Sequence, residues 1–144
     1  MHQQLKEKLW AYIVHNNPEL MFTLQEDYNV TRYLEDRVSE VMPTALKLLE
    51  ENKPGYVILE LCMQELTAPL RPSRYNYITT ILATGFEAEY TELKESGLLT
   101  YESVNLIDYC QPVFEKYGFT EANEDNSLLR GAMEDKISEY LKEL

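Results

Sequence analysis

Apolar residues recur every three or four positions along most of this 144-residue chain. The longest such stripe consists of Val30, Leu34, Val38, Val41, Ala45, Leu48 and Leu49. This spacing places the side chains on one face of an α-helix, which turns once in about 3.6 residues. The chain has only five glycines and six prolines, which suits helices with short connections better than strands and turns. The sequence therefore predicts an all-α protein.

About six helices are predicted, packed as one compact multihelical bundle in a single domain over residues 1–144. They are expected at 4–16, from about Tyr28 to Asn52, within 52–66, from Ser73 to Gly97, from Thr100 to Gly118, and from Asp125 or Asn126 to the C-terminus. Ser73 and Thr100 are candidate capping residues because their side chains can accept hydrogen bonds from free amides. Residues 21–27 are assigned to a loop.

Three residues inside these predicted helices disturb the pattern. Pro43 and Pro112 each lack an amide donor, so we expect a kink or a break at both positions. Gly85 lies in the middle of the fourth helix, where glycine costs about 1 kcal/mol relative to alanine. Its position on the apolar stripe suggests close packing of the backbone against a neighbouring helix.

Charge is distributed unevenly along the chain. The formal net charge is −12, and residues 87–144 contribute −9 through 14 acidic and 5 basic side chains. Such a segment repels a phosphate backbone, which argues against nucleic acid as a partner. It suits a protein partner with a basic surface, although acidic surfaces also serve solubility alone.

The carboxylates in two parts of the acidic segment are the first candidate partner-binding site. They are Glu121, Glu124 and Asp125 in a predicted loop, and Glu134, Asp135 and Glu139 on the polar side of the last helix. The loop lacks the alternating aspartates, glycine and distant glutamate of a calcium-binding loop. Acidic residues before a helix also have a structural interpretation, because they complement the helix dipole.

Basic and aromatic residues at the start of the fourth helix are the second candidate site. Arg71, Arg74, Tyr75 and Tyr77 lie where free amide groups attract anions, so they could hold a phosphate or stack against a base. The structural interpretation is that Tyr75 packs onto the core and that Arg74 pairs with a glutamate. Two arginines are few against the overall negative charge, and the structural interpretation is favoured.

No pattern of catalytic or metal-binding residues is present. Cys62 and Cys110 stand alone in apolar segments, which predicts buried thiols. His15 falls at the end of the first helix, where a cation is favoured, and His2 is near the terminus. We therefore predict no enzyme activity, no cofactor and no metal. No apolar run reaches the roughly 18 residues of a membrane span and no signal peptide is visible, so we expect a cytoplasmic protein without a membrane contact.

Short motifs in three places resemble a known family. A Ser-basic-Tyr-Asn start opens an apolar helix that ends in Phe86 and Glu87, here with Ser73, Arg74, Tyr75 and Asn76. The other matches are Pro18-Glu19 and the residues Val113, Phe114, Lys116 and Tyr117. Together they resemble the domain-of-unknown-function family numbered eighteen ninety-six, small helical proteins common on conjugative transposons and other mobile elements of gut and mouth anaerobes. The resemblance implies a compact helical fold and no particular activity.

Taken together, these features predict a non-enzymatic, acidic accessory protein of a mobile element that binds another protein. The 11 tyrosines support an interaction role, because tyrosine is enriched at protein interfaces. One specific form of this role is DNA mimicry, in which spaced carboxylates imitate phosphates. The alternative is a nucleic-acid-binding regulator that uses the helix start from Arg71 to Tyr77. Self-association as a homo-oligomer is compatible with either role.

Overall fold

The structure is a computed structural model that describes all 144 residues. It contains nine α-helices, one short 3₁₀ turn and no strand, which confirms the all-α class. The predicted number of about six helices is too low, because two long apolar patterns are each divided between two helices and one predicted loop is helical. The helices form two compact units, Met1–Arg71 and Pro72–Leu144.

The first unit contains four α-helices followed by the 3₁₀ turn. They are α1 (His2–Asn16), α2 (Pro18–Glu26), α3 (Val30–Glu50) and α4 (Gly55–Thr67), and the turn covers Ala68–Leu70. Their buried faces form a core of Leu5, Leu9, Ile13, Leu34, Val38, Val41, Ala45, Ile58, Cys62 and Leu66. The predicted stripe on α3 is correct except at its end, because Leu49 is 60% exposed.

Pro43 neither breaks nor ends α3, which runs through it from Val30 to Glu50. Both Pro43 and Ser39, whose carbonyl loses its usual amide donor, lie on the exposed side of the helix. Water can therefore solvate the free carbonyl, and the buried face on the other side holds the helix together. Of the kink or break expected at this residue, the break does not occur.

Residues 21–27 were predicted as a loop, and this prediction is wrong because α2 extends to Glu26. Pro18 occupies the first turn of α2, where its fixed φ and missing amide suit a helix start. The carbonyl of Asn17 accepts from the amides of Leu20 and Met21 at 3.0 and 3.1 Å. The proline that ends α1 thus also begins α2.

The second unit contains five α-helices. They are α5 (Arg74–Gly85), α6 (Glu87–Glu95), α7 (Leu99–Tyr109), α8 (Gln111–Tyr117) and α9 (Ser127–Lys142). A second core is formed by Ile78, Ile81, Leu82, Leu106, Ile107, Cys110, Val113, Phe114, Leu129, Met133 and Ile137. The sequence predicts a single domain over residues 1–144, and the structure places the buried side chains in two clusters, one in each unit.

The predicted helix from Ser73 to Gly97 is two helices, which meet at Phe86. The Phe86 amide still donates to the Leu82 carbonyl at 3.0 Å, and its own carbonyl accepts from Tyr90 at 2.9 Å. Gly85 is exposed, and an added Cβ would meet only the Glu134 carboxylate at 3.7 Å. The expectation of close backbone packing at this glycine is therefore wrong.

Pro112 divides its predicted helix as expected. α7 ends at Tyr109, and Pro112 lies in the first turn of α8, where it needs no amide donor. Gly118, at φ 60°, ends α8 in the left-handed conformation that glycine favours. Both Cys62 and Cys110 are buried free thiols, as predicted.

One of the two predicted helix caps, Ser73, is present, and Asn126 forms a cap that was not predicted. The Ser73 hydroxyl accepts from the Asn76 amide at 2.9 Å, and the Asn126 side chain accepts from Leu128 and Leu129 at 2.9 and 3.0 Å. Thr100 does not cap α7, because that helix begins one residue earlier at Leu99.

Candidate functional site

The four residues of the predicted basic and aromatic site belong to different units. Arg71 ends the first unit, and its guanidinium donates to the carbonyl of Gln64 at 3.3 Å near the end of α4. Arg74, Tyr75 and Tyr77 belong to the first turn of α5 in the second unit. Arg71 therefore forms a hydrogen bond to a backbone carbonyl near the C-terminal end of α4, within its own unit.

The remaining three residues pack within the second unit. The Arg74 guanidinium lies 4.6 Å from the centre of the Phe114 ring, a cation–π contact in place of the expected pairing with a glutamate. The Tyr75 hydroxyl is 3.1 Å from the hydroxyl of Thr100, and its ring packs against the core, as predicted. Tyr77 packs its ring against Phe114 and Phe119. These contacts give the helix start a packing role.

The predicted acidic residues on α9 are partly engaged. Glu134 forms an ion pair with Arg130 at 3.4 Å, and Glu139 forms one with Lys136 at 3.5 Å. Glu139 also accepts a hydrogen bond from the Tyr109 hydroxyl at 3.2 Å. Asp135, between them in sequence, is exposed. In the preceding loop, Glu121 is exposed as well.

The remaining two predicted acidic residues meet one of the predicted tyrosines at a cavity. This Tyr77 cavity has a volume of about 360 Å³, and its walls include Ser73, Asn76, Tyr77, Glu124, Asp125 and Arg130. The helix start and the acidic loop, which the sequence treats as two alternative sites, thus contribute to the same cavity.

A second surface was not predicted from the sequence. It is a groove of about 450 Å³ in the second unit, lined by side chains of α6, α7, α9 and the turns beside them. Its apolar side chains are Leu93, Leu98, Leu141 and Leu144. Leu98 is 47% exposed and Leu144 is 66% exposed, so the groove presents apolar surface to solvent.

Three carboxylates join these leucines and make the surface an acidic groove. Glu89 and Glu92 project from α6 and are exposed, and Glu102 from α7 is only 7% exposed. No ion pair of the chain involves any of the three. The acidic groove therefore combines apolar surface with negative charge that the chain itself does not neutralise.

Glu102 is held in place by neutral hydrogen-bond donors. One carboxylate oxygen accepts from the Tyr140 hydroxyl at 3.0 Å, and the other accepts from the Asn105 amide at 3.3 Å. Burial, together with the hydrogen bond to Glu102, raises the pKa of Tyr140 to about 12, so Tyr140 keeps its proton and remains a donor. A buried carboxylate is normally paired with a cation, and Glu102 has only neutral partners.

The sequence contained one signal for Glu102. It lies four residues before Leu106 and eight before Cys110, on the same helical face as these two buried residues. A carboxylate in register with an apolar stripe is a candidate buried acid. Val104, an apolar residue of the same helix, is only half-buried.

Other functional signatures are few. No group of three or more His, Cys, Asp or Glu side chains converges in an arrangement that could hold a metal ion. None of the nine helices combines the length and apolar character required to cross a bilayer. Comparison of the chain with models of known protein families, with characterised proteins and with solved structures finds no significant match.

Proposed function

We propose that this protein is a non-enzymatic, acidic interaction protein whose acidic groove binds a basic amphipathic segment of another protein. The supporting observation is the buried Glu102 carboxylate, which lies in a leucine-lined groove with two further acids and has no cation of its own chain. Apolar side chains of the partner would cover the leucines, and its lysines or arginines would reach the carboxylates. An amphipathic helix in an apolar groove is a recurrent mode of protein recognition.

Net charge supports the same choice of partner. The second unit, Pro72–Leu144, carries 14 acidic and 6 basic side chains, a balance of −8. A field of one sign speeds association with an oppositely charged partner and weakens as salt increases. The acidic residues predicted on the loop and on α9 would extend this field, with Glu121 and Asp135 exposed. Their role in partner binding stays a prediction.

The resemblance to a mobile-element family stays a prediction, and it supplies the proposed setting: an accessory protein that acts on a basic protein of the element. DNA mimicry is one form of this proposal. The alternative, a nucleic-acid-binding regulator, has less support, because Arg71 bonds to a backbone carbonyl and Arg74 packs over Phe114.

The test measures binding of a synthetic amphipathic helix of leucine and lysine by fluorescence anisotropy at low and high salt. The wild-type protein is expected to bind this peptide and to reject a peptide in which every lysine is replaced by glutamate. The double variant Glu89→Gln/Glu92→Gln should weaken binding several-fold and reduce its salt dependence, because rim charges act mainly on association. Leu98→Ser should weaken binding at both salt concentrations.

The matched control is Glu50→Gln/Glu51→Gln, which removes two exposed charges at the end of α3 in the first unit. It should bind the peptide as the wild type does. Equal losses of peptide affinity in the two double variants would show that only net charge matters. Such a result would contradict the acidic groove as the binding site. Binding that is lost only when Glu134, Asp135 and Glu139 are changed to lysine would move the site to α9. Binding of a short DNA duplex that is abolished by Arg71→Ala/Arg74→Ala would support the alternative.

A further inference from the structure

Glu102 differs from the other two carboxylates of the acidic groove in its surroundings. It lies in the first turn of α7, and its amide donates to the carbonyl of Leu98, another residue of the groove, at 2.9 Å. Glu89 and Glu92 are exposed on α6, whereas Glu102 retains only 7% of its surface in contact with solvent. The groove therefore contains two well-hydrated carboxylates and one that is largely removed from water.

The Glu102 carboxylate is held in a fixed orientation but can accept further hydrogen bonds. Tyr140 and Asn105 each donate one bond, and they donate to different oxygens. The start of α7 adds the positive end of the helix dipole, which favours a negative charge in the first turn. A carboxylate offers about four lone-pair sites, so about two remain for a donor from outside the chain.

A guanidinium fits this carboxylate better than an ammonium does. The planar guanidinium donates two parallel hydrogen bonds to a carboxylate whose orientation is fixed, and it is weakly hydrated. An ammonium is a compact and strongly hydrated charge, so it loses more solvation beside a carboxylate that has little contact with water. The leucines of the groove, among them the exposed Leu98 and Leu144, provide apolar surface for the methylene groups of an arginine side chain.

We propose that Glu102 makes the acidic groove selective for an arginine of the partner over a lysine. This inference rests on the proposed function, since it assigns one residue of the basic amphipathic segment to Glu102. The guanidinium would pair with the Glu102 carboxylate while its stem lies along the leucines. Lysines elsewhere on the segment would be sufficient for Glu89 and Glu92, because these two carboxylates remain hydrated.

A set of peptides tests this selectivity by fluorescence anisotropy with the full-length protein. Each peptide is the leucine–lysine helix with one lysine replaced by arginine, and the replaced position moves along the helix. One peptide of the set is expected to bind about tenfold more tightly than the all-lysine peptide, the effect of one additional charge-assisted hydrogen bond. Replacing that arginine by citrulline, which keeps its shape and removes its charge, should abolish the gain.

Variants of the three carboxylates separate their roles. Glu102→Gln should remove the preference, so that the selected arginine peptide and the all-lysine peptide bind equally. Glu89→Gln/Glu92→Gln should weaken the binding of both peptides and leave the ratio of their affinities unchanged. The matched control is Asp108→Asn, which removes an exposed carboxylate near the end of α7 and should change neither affinity.

Failure of this inference is distinguishable from failure of the proposed function. Equal affinity for all the peptides, or an unchanged arginine preference in Glu102→Gln, would overturn the selectivity and leave the acidic groove as proposed. If no peptide binds, the proposed function fails and the selectivity fails with it. If Glu102→Gln does not fold, the arginine and citrulline peptides are compared on Glu89→Gln/Glu92→Gln, in which Glu102 is the only remaining carboxylate of the groove. Tighter binding of the arginine peptide there supports the inference, and equal binding overturns it.

Discussion

Phe114 is the largest fully buried side chain of the second unit. Its ring contacts two other aromatic rings and one guanidinium group. It lies edge-on to Tyr77 and Phe119, with ring centres 6.1 and 5.0 Å away, and beneath the guanidinium of Arg74. Phe86, the residue between α5 and α6, packs against the same core but is only half-buried. The two phenylalanines therefore differ in how much apolar surface they remove from water.

We expect Phe114→Ala to reduce the free energy of unfolding by about 3–5 kcal/mol, because it removes buried area and leaves a cavity among close-packed side chains. Phe86→Ala should cost clearly less, since part of its ring is already in contact with water. Urea unfolding followed by circular dichroism measures both. Equal losses in the two variants would contradict the buried position of Phe114 or the partial exposure of Phe86.

The Tyr140 phenol provides a prediction about alkaline pH. Burial first, and then the hydrogen bond and charge of Glu102, raises the pKa of Tyr140 from 10.0 to about 12 in the folded protein. The folded state thus retains this proton to higher pH than the unfolded state does. The resulting contribution to stability is complete below pH 10 and is lost as pH rises towards 12.

Unfolding experiments between pH 9 and 12 test this dependence. Tyr140→Phe should lose stability less steeply than the wild type above pH 10. Glu102→Gln should have an intermediate slope, because it removes one of the causes of the raised pKa. Cys110, whose burial raises its pKa from 9.0 to about 12, adds a loss of the same sign in all three proteins. If Tyr140→Phe loses stability with rising pH as steeply as the wild type does, the raised pKa of Tyr140 is contradicted.

At the scale of helices, Pro43 is the least expected feature. It lies in the interior of α3, on the exposed side, and leaves the carbonyl of Ser39 without its helical donor. Pro43→Ala restores this donor and replaces the poorest helix former with the best. We expect it to stabilise the protein by about 1–3 kcal/mol, measured by urea unfolding. Leu46→Ala, at a position 55% exposed on the same helix, is the control and should change stability little.

Helical periodicity predicted most of the elements, because each helix buries one face and the spacing of apolar residues reports it. Leu5, Leu9 and Ile13 recur at a spacing of four residues and are fully buried, as are Leu129, Met133 and Ile137. The division at Phe86 was not predictable in this way. The apolar spacing continues from Leu82 through Phe86 to Tyr90, and the hydrogen bonds on both sides of Phe86 also continue, so only the backbone turn separates α5 from α6.

Candidate sites were harder to predict than elements, since they depend on which loops meet. The sequence identified Tyr77, Glu124 and Asp125, but as members of two separate sites, because nothing in their spacing indicates that α5 faces the loop before α9. The acidic groove was missed for the same reason. Its leucines and carboxylates come from α6, α7 and α9, and only tertiary packing brings them together.

At the scale of the whole molecule, the chain divides at Arg71 into units with separate cores and unequal charge. The first unit has 11 acidic and 7 basic side chains, a balance of −4, against −8 in the second. The acidic groove lies in the second unit. Side chains that carry the same charge repel one another and oppose folding into a compact unit. At 0.1 M, dissolved salt largely screens this repulsion between charges that are more than about 10 Å apart.

We therefore expect residues 1–71 and 72–144, produced as separate polypeptides, each to form helical structure, because each retains its own buried core. Polypeptide 72–144 should gain more thermal stability from added sodium chloride than polypeptide 1–71, since its net charge is twice as large. Thermal unfolding followed by circular dichroism, at low and moderate salt, measures both effects.

A second test compares two double variants of the full-length chain, Glu50→Gln/Glu51→Gln and Glu89→Gln/Glu92→Gln. The second variant removes two charges from the more acidic unit, so it should reduce the salt dependence of thermal stability more than the first variant does. A polypeptide that lacks cooperative unfolding would show that its core needs the remainder of the chain, and equal salt responses would contradict the role assigned to charge.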